Sequence, residues 1–388
     1  HNRITNVSIT GLKRGVVGGG NNQVNWVTVS GNYNRVDHCD LSNRRSQGVS
    51  LTLHGGGLED YNVADHNYFG PGPTAASLCG QVANCLNGWE SVRITREELF
   101  TESRSAVKYN LFDGADGEGE VVSDKANANY HLFNTFQNLS QGHLTLRHAR
   151  EALVEGNTFV NCTKGIRAYG EKHVIANNHF QAVAVGIQVP GGQGDLDQEV
   201  GQEGKCYYPA DKLIVAHNSF TQSGIAVQSE IGNGCGKEKL CRNPDGASDA
   251  AAHVILANNF AASGVTPLDQ SLPLISPLLV SNLTSLTTPP QGWSFTQAPV
   301  SLDAFGVLRA GAGSGIENAG ASGATVRGLA GTGSYAVYPN LLVDLDGQSR
   351  SLSTPDVGAD ELGAVPGYAR RLTWADVGPR WGTRLAPQ

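Results

Sequence analysis

The chain has 388 residues, 39% of them hydrophobic and 16% charged, with a formal net charge of -7, which is enough apolar content for a folded chain with a sizeable core. The acidic balance argues against a nucleic-acid binder while leaving room for a local basic groove. No run of eighteen apolar residues occurs, so no helix is expected to span a membrane, and the 49 Gly and 16 Pro describe a chain that turns often and favours short strands.

In chain order, the opening HNRITNVSIT reads as a strand with no signal peptide, and further N-terminal coils are expected to precede it. The GGG runs at 18–20 and 55–57 precede no helix, so they do not read as phosphate loops. Seven cysteines include a close pair, Cys79 and Cys85, and a group in Gly-rich segments, Cys206, Cys235 and Cys241. None has the spacing of a zinc site. One or two disulfides in an exported protein are expected, with at least one thiol left over because the count is odd.

A repeat then takes over. The phrases YNLF, FNTF, GNTF, NNHF, HNSF and NNF each follow a short apolar or β-branched run, and their phenylalanines are Phe112, Phe136, Phe159, Phe180, Phe220 and Phe260, with Phe69 ahead of them. Steps of 21 to 24, doubled where a loop is inserted, are too short for a propeller blade and lack helical periodicity. A leucine-rich horseshoe would need repeated leucines. The pattern predicts an all-β chain, a right-handed parallel β-helix with coils of about 22 residues, in which equivalent Phe pile up inside and Asn form a ladder at a turn. The predicted ladder is the Asn two before each Phe: Asn110, Asn134, Asn157, Asn178, Asn218 and Asn258. A single domain over 1–388 is expected, with regular coils to about 262 and more irregular coils and a cap over 263–388, where VDLDGQSRSLSTPDVGADE is read as closing the last coils. The segments near 191–210 and 231–250 read as loops leaving the coil.

Charge gathers in EGEVVSDKANANYHLFNTFQNLSQGHLTLRH. Lys125 and Arg147 are one coil period apart, so they should stack on neighbouring coils about 5 Å apart. Arg167, in GIRAYG, is placed near the same column one coil later. Glu118 and Glu120, two apart on a strand, should point the same way, with Asn87 of NGWES a coil and a loop earlier. Two carboxylates and an amide oxygen make a hard-oxygen cation site suited to Ca²⁺; the plainer reading is that Glu118 and Glu120 pair with Lys and Arg on a solvated surface, although stacked like charges then repel.

These blocks, DGEGEVVSDK, SQGHLTLRH and LVEGNTF, with NGWESVRI before and GIRAYGE and PDVGADE after, resemble polysaccharide lyase family 6, the alginate lyases and chondroitinase B. The resemblance is dense over about 84–180 and weaker to 262. It implies a right-handed parallel β-helix and β-elimination on a uronate polymer. By motif position it implies Asn87, Glu118 and Glu120 as Ca²⁺ ligands, Lys125 as the base, Arg147 as acid or stabiliser of the leaving oxygen, and His148 and Arg167 as binders of substrate carboxylates. Ala126 and Ala149 stand where the family usually has Ser and Gly, and the family includes members that manage without the metal.

The rivals are a glycoside hydrolase on the same fold using Asp113 and Asp116, two residues that read more simply as turn residues, and a glycan-binding solenoid without catalysis. The remaining histidines, including His54, His66, His143 and His173, read as structural. Few basic residues occupy the inserts (Lys205, Lys237, Lys239, Arg242), so alginate is preferred over dermatan sulfate as the anionic polysaccharide. A secreted or periplasmic bacterial protein, monomeric or weakly dimeric, is expected.

Overall fold

A computed structural model describes residues 1–12, 24–55, 59–79, 87–95, 102–194, 206–228, 250–262, 266–297, 300–304, 306–330, 339–362 and 371–379. The chain is a right-handed parallel β-helix. One face is a ten-stranded parallel sheet running from Arg3–Thr5 to Leu278–Val280. Two further ribbons merge into an eighteen-stranded sheet, because the long strands Thr158–Ala168 and His179–Pro190 run across both of them. The parallel ladders continue past residue 262, through Asn282–Thr284 to Trp293–Phe295.

The interior follows from the repeat. Phe69, Phe112, Phe136, Phe159, Phe180 and Phe220 stack with ring centroids 4.6–4.9 Å apart and planes within 9° of parallel. That is the strand spacing of the coils, so each ring packs on its equivalent above and below. All six are buried within the core.

Each strand of the ten-stranded sheet is followed by a two-residue corner whose first residue has positive φ (Asn6, His38, His66, Tyr109, Phe133, Gly156, Asn177, His217, Asn258, Ser281); from the third strand, Val63–Asp65, onward the second is a buried Asn. Gly156, at φ 68, is the natural choice for a left-handed position, whereas the others tolerate it because the stacked corner over-determines them. The second residues form the ladder: Asn67, Asn110, Asn134, Asn157, Asn178, Asn218, Asn259 and Asn282, in which every oxygen from Asn110 onward accepts from the backbone N–H and side-chain N–H of the preceding Asn at 2.9–3.1 Å, while that of Asn67 accepts from Cys39 N–H (3.0 Å).

Asn258 is therefore not a ladder member, contrary to the spacing. Two asparagines precede Phe260; the first occupies the left-handed position, and its amide instead reaches His217 Nε2 (3.0 Å) and the Ala321 carbonyl (2.7 Å). Phe260 moves outward with it: Phe260 pairs with Ser219 while Ala261 pairs with Phe220 and takes the interior position.

The C-terminal part wraps the outside of the helix rather than closing its last coil. The helix Gly323–Ala330 covers the apolar outer face of the ten-stranded sheet, where Val326 and Leu341 pack on Leu153, Val174, Ile214 and Ile255. Arg350 of the DLDGQSR segment is buried and donates to Asn177 Oδ1 (3.0 Å), to the Gly358 and Ala359 carbonyls (2.9 and 3.0 Å) and to Glu361 (3.1 Å), fastening PDVGADE to the flank. Further on, Leu372 N–H reaches Thr135 Oγ1 (2.8 Å) and Gly378 N–H the His66 carbonyl (2.7 Å). Cys39 and Cys162 are free and buried; Cys85, Cys235 and Cys241 lie outside the described residues.

Candidate active site

The charged residues converge on the ribbon formed by Glu120–Asp124, His143–Leu146 and the end of Thr158–Ala168. In register, Val122, Leu144 and Ile166 face the core, and Arg93, Ser123, Thr145 and Arg167 form one outward column. A bulge between Glu120 and Val122 lets both Val121 and Val122 enter the core and sets Glu120 opposite His143. Glu118 precedes the strand, in a bend, so it does not share the strand alternation expected for the pair.

Asp124 and Leu146 are paired, and Lys125 and Arg147 are the next residues in consecutive coils, as the spacing predicts. Their backbones are fixed by Lys125 N–H to the Ile94 carbonyl (3.0 Å) and Arg147 N–H to the Asp124 carbonyl (2.8 Å). Arg167 does not belong to that column. Leu146 pairs with Ala168, a step of 22, so the residue over Arg147 is Tyr169, and Arg167 sits two residues back, beside Thr145.

From there Arg167 reaches Glu120. Its Nη2 lies 2.6 Å from Glu120 Oε1, while Glu120 Oε2 accepts from Ser123 Oγ at 2.6 Å and lies 3.6 Å from Arg147 Nη1. Burial alone would raise the Glu120 carboxyl, but Arg147, Arg167, the Ser123 hydroxyl and Lys125 overcome it and hold it down to about 2. Glu118 behaves oppositely: burial, with Glu90 and Glu120 as like-charged neighbours, holds its carboxyl well above the usual range, against the opposing Trp89 backbone N–H and Arg44.

Several members of this group carry no repeat signal. Glu90 is fully buried and grips Arg93 through both oxygens (2.8 and 2.7 Å). Arg44 is buried under the same rim, donating to the Gly48 and Glu90 carbonyls (2.5 and 2.6 Å), with its guanidinium over the Trp89 ring (5.5 Å). Asp124, fully buried, takes Ala126 N–H (3.2 Å), Asn129 Nδ2 (2.8 Å) and His131 Nε2 (2.7 Å), and so clamps the turn that carries Lys125. Lys125 itself is buried. His148 is buried, with its ring 5.1 Å from that of Tyr207, a residue of the insert that the repeat treats only as a loop.

The five cations Arg44, Arg93, Lys125, Arg147 and Arg167 outnumber the four acids Glu90, Glu118, Glu120 and Asp124, so the cluster is locally basic in a chain whose net charge is -7. Such a cluster suits an anionic ligand. As for a cation, Glu118 accepts from Trp89 N–H and has Glu120 as a like-charged neighbour, while Asn87, two residues before Trp89, is exposed and its carbonyl accepts from Gln47 at 2.7 Å. Glu120 already spends its oxygens on Arg167, Ser123 and Arg147, so the three residues match Ca²⁺ only in being hard-oxygen donors.

Asp113 and Asp116 lie apart from this group. Asp116 takes the backbone N–H groups of Ser140, Gln141 and Gly142 (2.5, 3.2 and 2.8 Å), and Asp113 takes Asn138 (2.8 Å), so the pair suggested for hydrolysis holds turns. Among the described residues, Asp344, Asp346 and Asp360 form an acidic cluster, with Arg309 bonded to Asp346 and Asp360.

With this geometry in hand, comparison with known proteins identifies the family. The profile of the family described as chondroitinase B matches residues 1–277. No curated protein matches the chain. Among solved structures, it is similar to the PL6 family alginate lyase AlyGC (TM-score 0.68, 22% identity, covering 99% of this chain and 45% of that one). It is also similar to a PL6 alginate lyase in complex with a trisaccharide (0.66, 18%, 81% and 71%) and to the PL6 family polysaccharide lyase of Pseudopedobacter saltans (0.61, 16%, 98% and 77%). The chain thus spans less than half the length of AlyGC. With the profile covering well over half of its residues, this chain belongs to the chondroitinase B family, polysaccharide lyase family 6.

Proposed function

We propose that this protein cleaves a uronate-containing polysaccharide, alginate, by β-elimination. The observation that carries the reading is the alignment of Lys125 and Arg147 on consecutive coils, inside a locally basic cluster of an acidic chain. Elimination needs a base at C5 of the uronate and a charge stabiliser at the C4 oxygen, about one sugar bond apart. Side chains on adjacent coils, about 5 Å apart, match that separation. Lys125 takes the C5 proton. Arg147, always charged and therefore a poor proton donor, stabilises the oxygen that leaves as the C4–O bond breaks and the C4–C5 double bond forms, while water returns a proton to it.

His148 and Arg167 hold the substrate carboxylate, Arg167 with Glu120 setting its orientation. Asn87, Glu118 and Glu120 would hold Ca²⁺, which when bound draws charge from the carboxylate and so acidifies the C5 proton. The similarity to alginate lyases supports alginate as the polymer. A polymeric substrate of that kind places the protein outside the cytoplasm, secreted or periplasmic.

The test is to mix the protein with alginate and, separately, with dermatan sulfate, with and without a calcium chelator. Product is followed by the ultraviolet absorbance of the unsaturated uronate and by new reducing ends. Unsaturated product from alginate, diminished by chelator, is expected. Reducing ends without unsaturation would show hydrolysis instead, and product from dermatan sulfate alone would reassign the polymer.

A further inference from the structure

We infer that Tyr207, supplied by the insert between two coils rather than by the coil ladder, is a positioning residue for Arg147 and His148. The inference rests on the lyase reading above. After the long strand His179–Pro190 the chain leaves the solenoid, and Gln193–Gly194 pairs antiparallel with Cys206–Tyr207. The return is fixed to the coils on both sides: the Tyr208 carbonyl accepts from Gly170 N–H (3.0 Å) and the Pro190 carbonyl from Ala210 N–H (3.0 Å). Asp211 then bridges Glu171 in the parallel ladder. The returning strand is thereby set beside Arg147 and His148.

The Tyr207 ring meets three residues of the site. Arg147 Cζ lies over it at 4.9 Å, the His148 ring is 5.1 Å away with its plane tilted by 30°, and the Tyr169 ring is 5.0 Å away. Tyr169 in turn lies under Arg167 (5.3 Å), and Tyr208 under Arg150 (5.8 Å). A guanidinium lying flat on an aromatic face keeps its N–H edge free to point elsewhere and is attracted by the ring quadrupole. The Glu120 contact with Arg147, at 3.6 Å, is an ion pair longer than a hydrogen bond. The Tyr207 face under Arg147 Cζ (4.9 Å) limits where the guanidinium can lie and shields the Arg147–Glu120 pair from water, which strengthens it.

The consequence is a transition-state effect carried by the ring and not by its hydroxyl. In the full chain, Tyr207→Leu is expected to lower kcat on oligouronate by about 10- to 100-fold, with KM changed by less than about 3-fold, the scale of a misaimed catalytic group. Tyr207→Phe is expected to stay within about 3-fold of wild type, since it keeps the face that holds the guanidinium. A second readout does not depend on turnover: the Arg147 side-chain N–H resonance, assigned through Arg147→Lys, is expected to be shifted upfield by the ring in wild type and Tyr207→Phe, and to return downfield in Tyr207→Leu. Full turnover in Tyr207→Leu, equal losses in Phe and Leu, or no upfield shift in wild type would each overturn the inference. A wild-type protein inactive on every uronate polymer would sink the lyase reading, and the resonance would still decide whether Tyr207 orders Arg147.

Discussion

His179 provides a quantitative test of how the C-terminal wrap is held on the solenoid. The residue is fully buried between Thr158 and Ser219 in the parallel ladder, and neither ring nitrogen has a hydrogen-bond partner. Burial, reinforced by Arg309, lowers its pKa from 6.5 to about 4. A histidine whose folded pKa is depressed contributes stability that is whole above the unfolded value and is lost as the pH falls from 6.5 towards 4. Between about pH 7.5 and pH 4.5 the loss amounts to about 2.5 kcal/mol. His179→Leu removes that loss together with two unpaired polar atoms, each costing about 1–3 kcal/mol when buried, against a change of shape of about 1–3 kcal/mol. Urea denaturation of both proteins at the two pH values measures the difference. The variant is expected to be at least as stable as wild type at neutral pH and to gain about 2.5 kcal/mol more relative to it at the acid end. Curves that fall in parallel over the whole interval would refute the assignment of a neutral, buried His179.

Two further predictions concern the ladder and the site. Asn157→Ala deletes the bonds that Asn157 makes to Asn134, Asn178 and the His131 and Glu155 carbonyls, leaving several buried groups unpaired. A cost of about 3–5 kcal/mol is expected, with hydrogen exchange rising first in the coils on either side because a solenoid opens locally; a cost below about 1 kcal/mol would deny the ladder its role. Asp124→Ala releases the turn held through Ala126, Asn129 and His131; it is expected to lower kcat by about 10- to 100-fold with little change in KM, because it moves Lys125 without touching substrate. A rise in KM at constant kcat would instead place Asp124 in binding.

The solenoid was legible because its physics is periodic. Interior Phe must recur once per coil, so spacing alone found the stack and all but one of the predicted ladder positions. It failed at Asn258 because two asparagines and an outward Phe share one corner, and only the pairing of Ala261 with Phe220 decides which residue faces in. Arg167 was misplaced for a related reason: a step of 20 looks like a coil, but the local period is 22, which puts Tyr169 over Arg147.

Groups that join the site from outside the repeat were not legible. Arg44 and Glu90 belong to segments without the repeat's phrases, Tyr207 belongs to an insert, and the clamp of Asp124 on His131 closes across a turn. Each depends on contacts that no periodicity encodes. The VDLDGQ and PDVGADE segments look like a terminal closure in sequence, but buried Arg350 binds them to Asn177 on the flank.

The most direct test of the central claim compares wild type with Lys125→Ala on alginate, following unsaturated uronate product. Lys125 as the base at C5 predicts product from wild type and a rate lower by about 1,000-fold or more in the variant, with the fold and polymer binding retained. Comparable rates for the two proteins would contradict the account, since proton removal would then belong to another group.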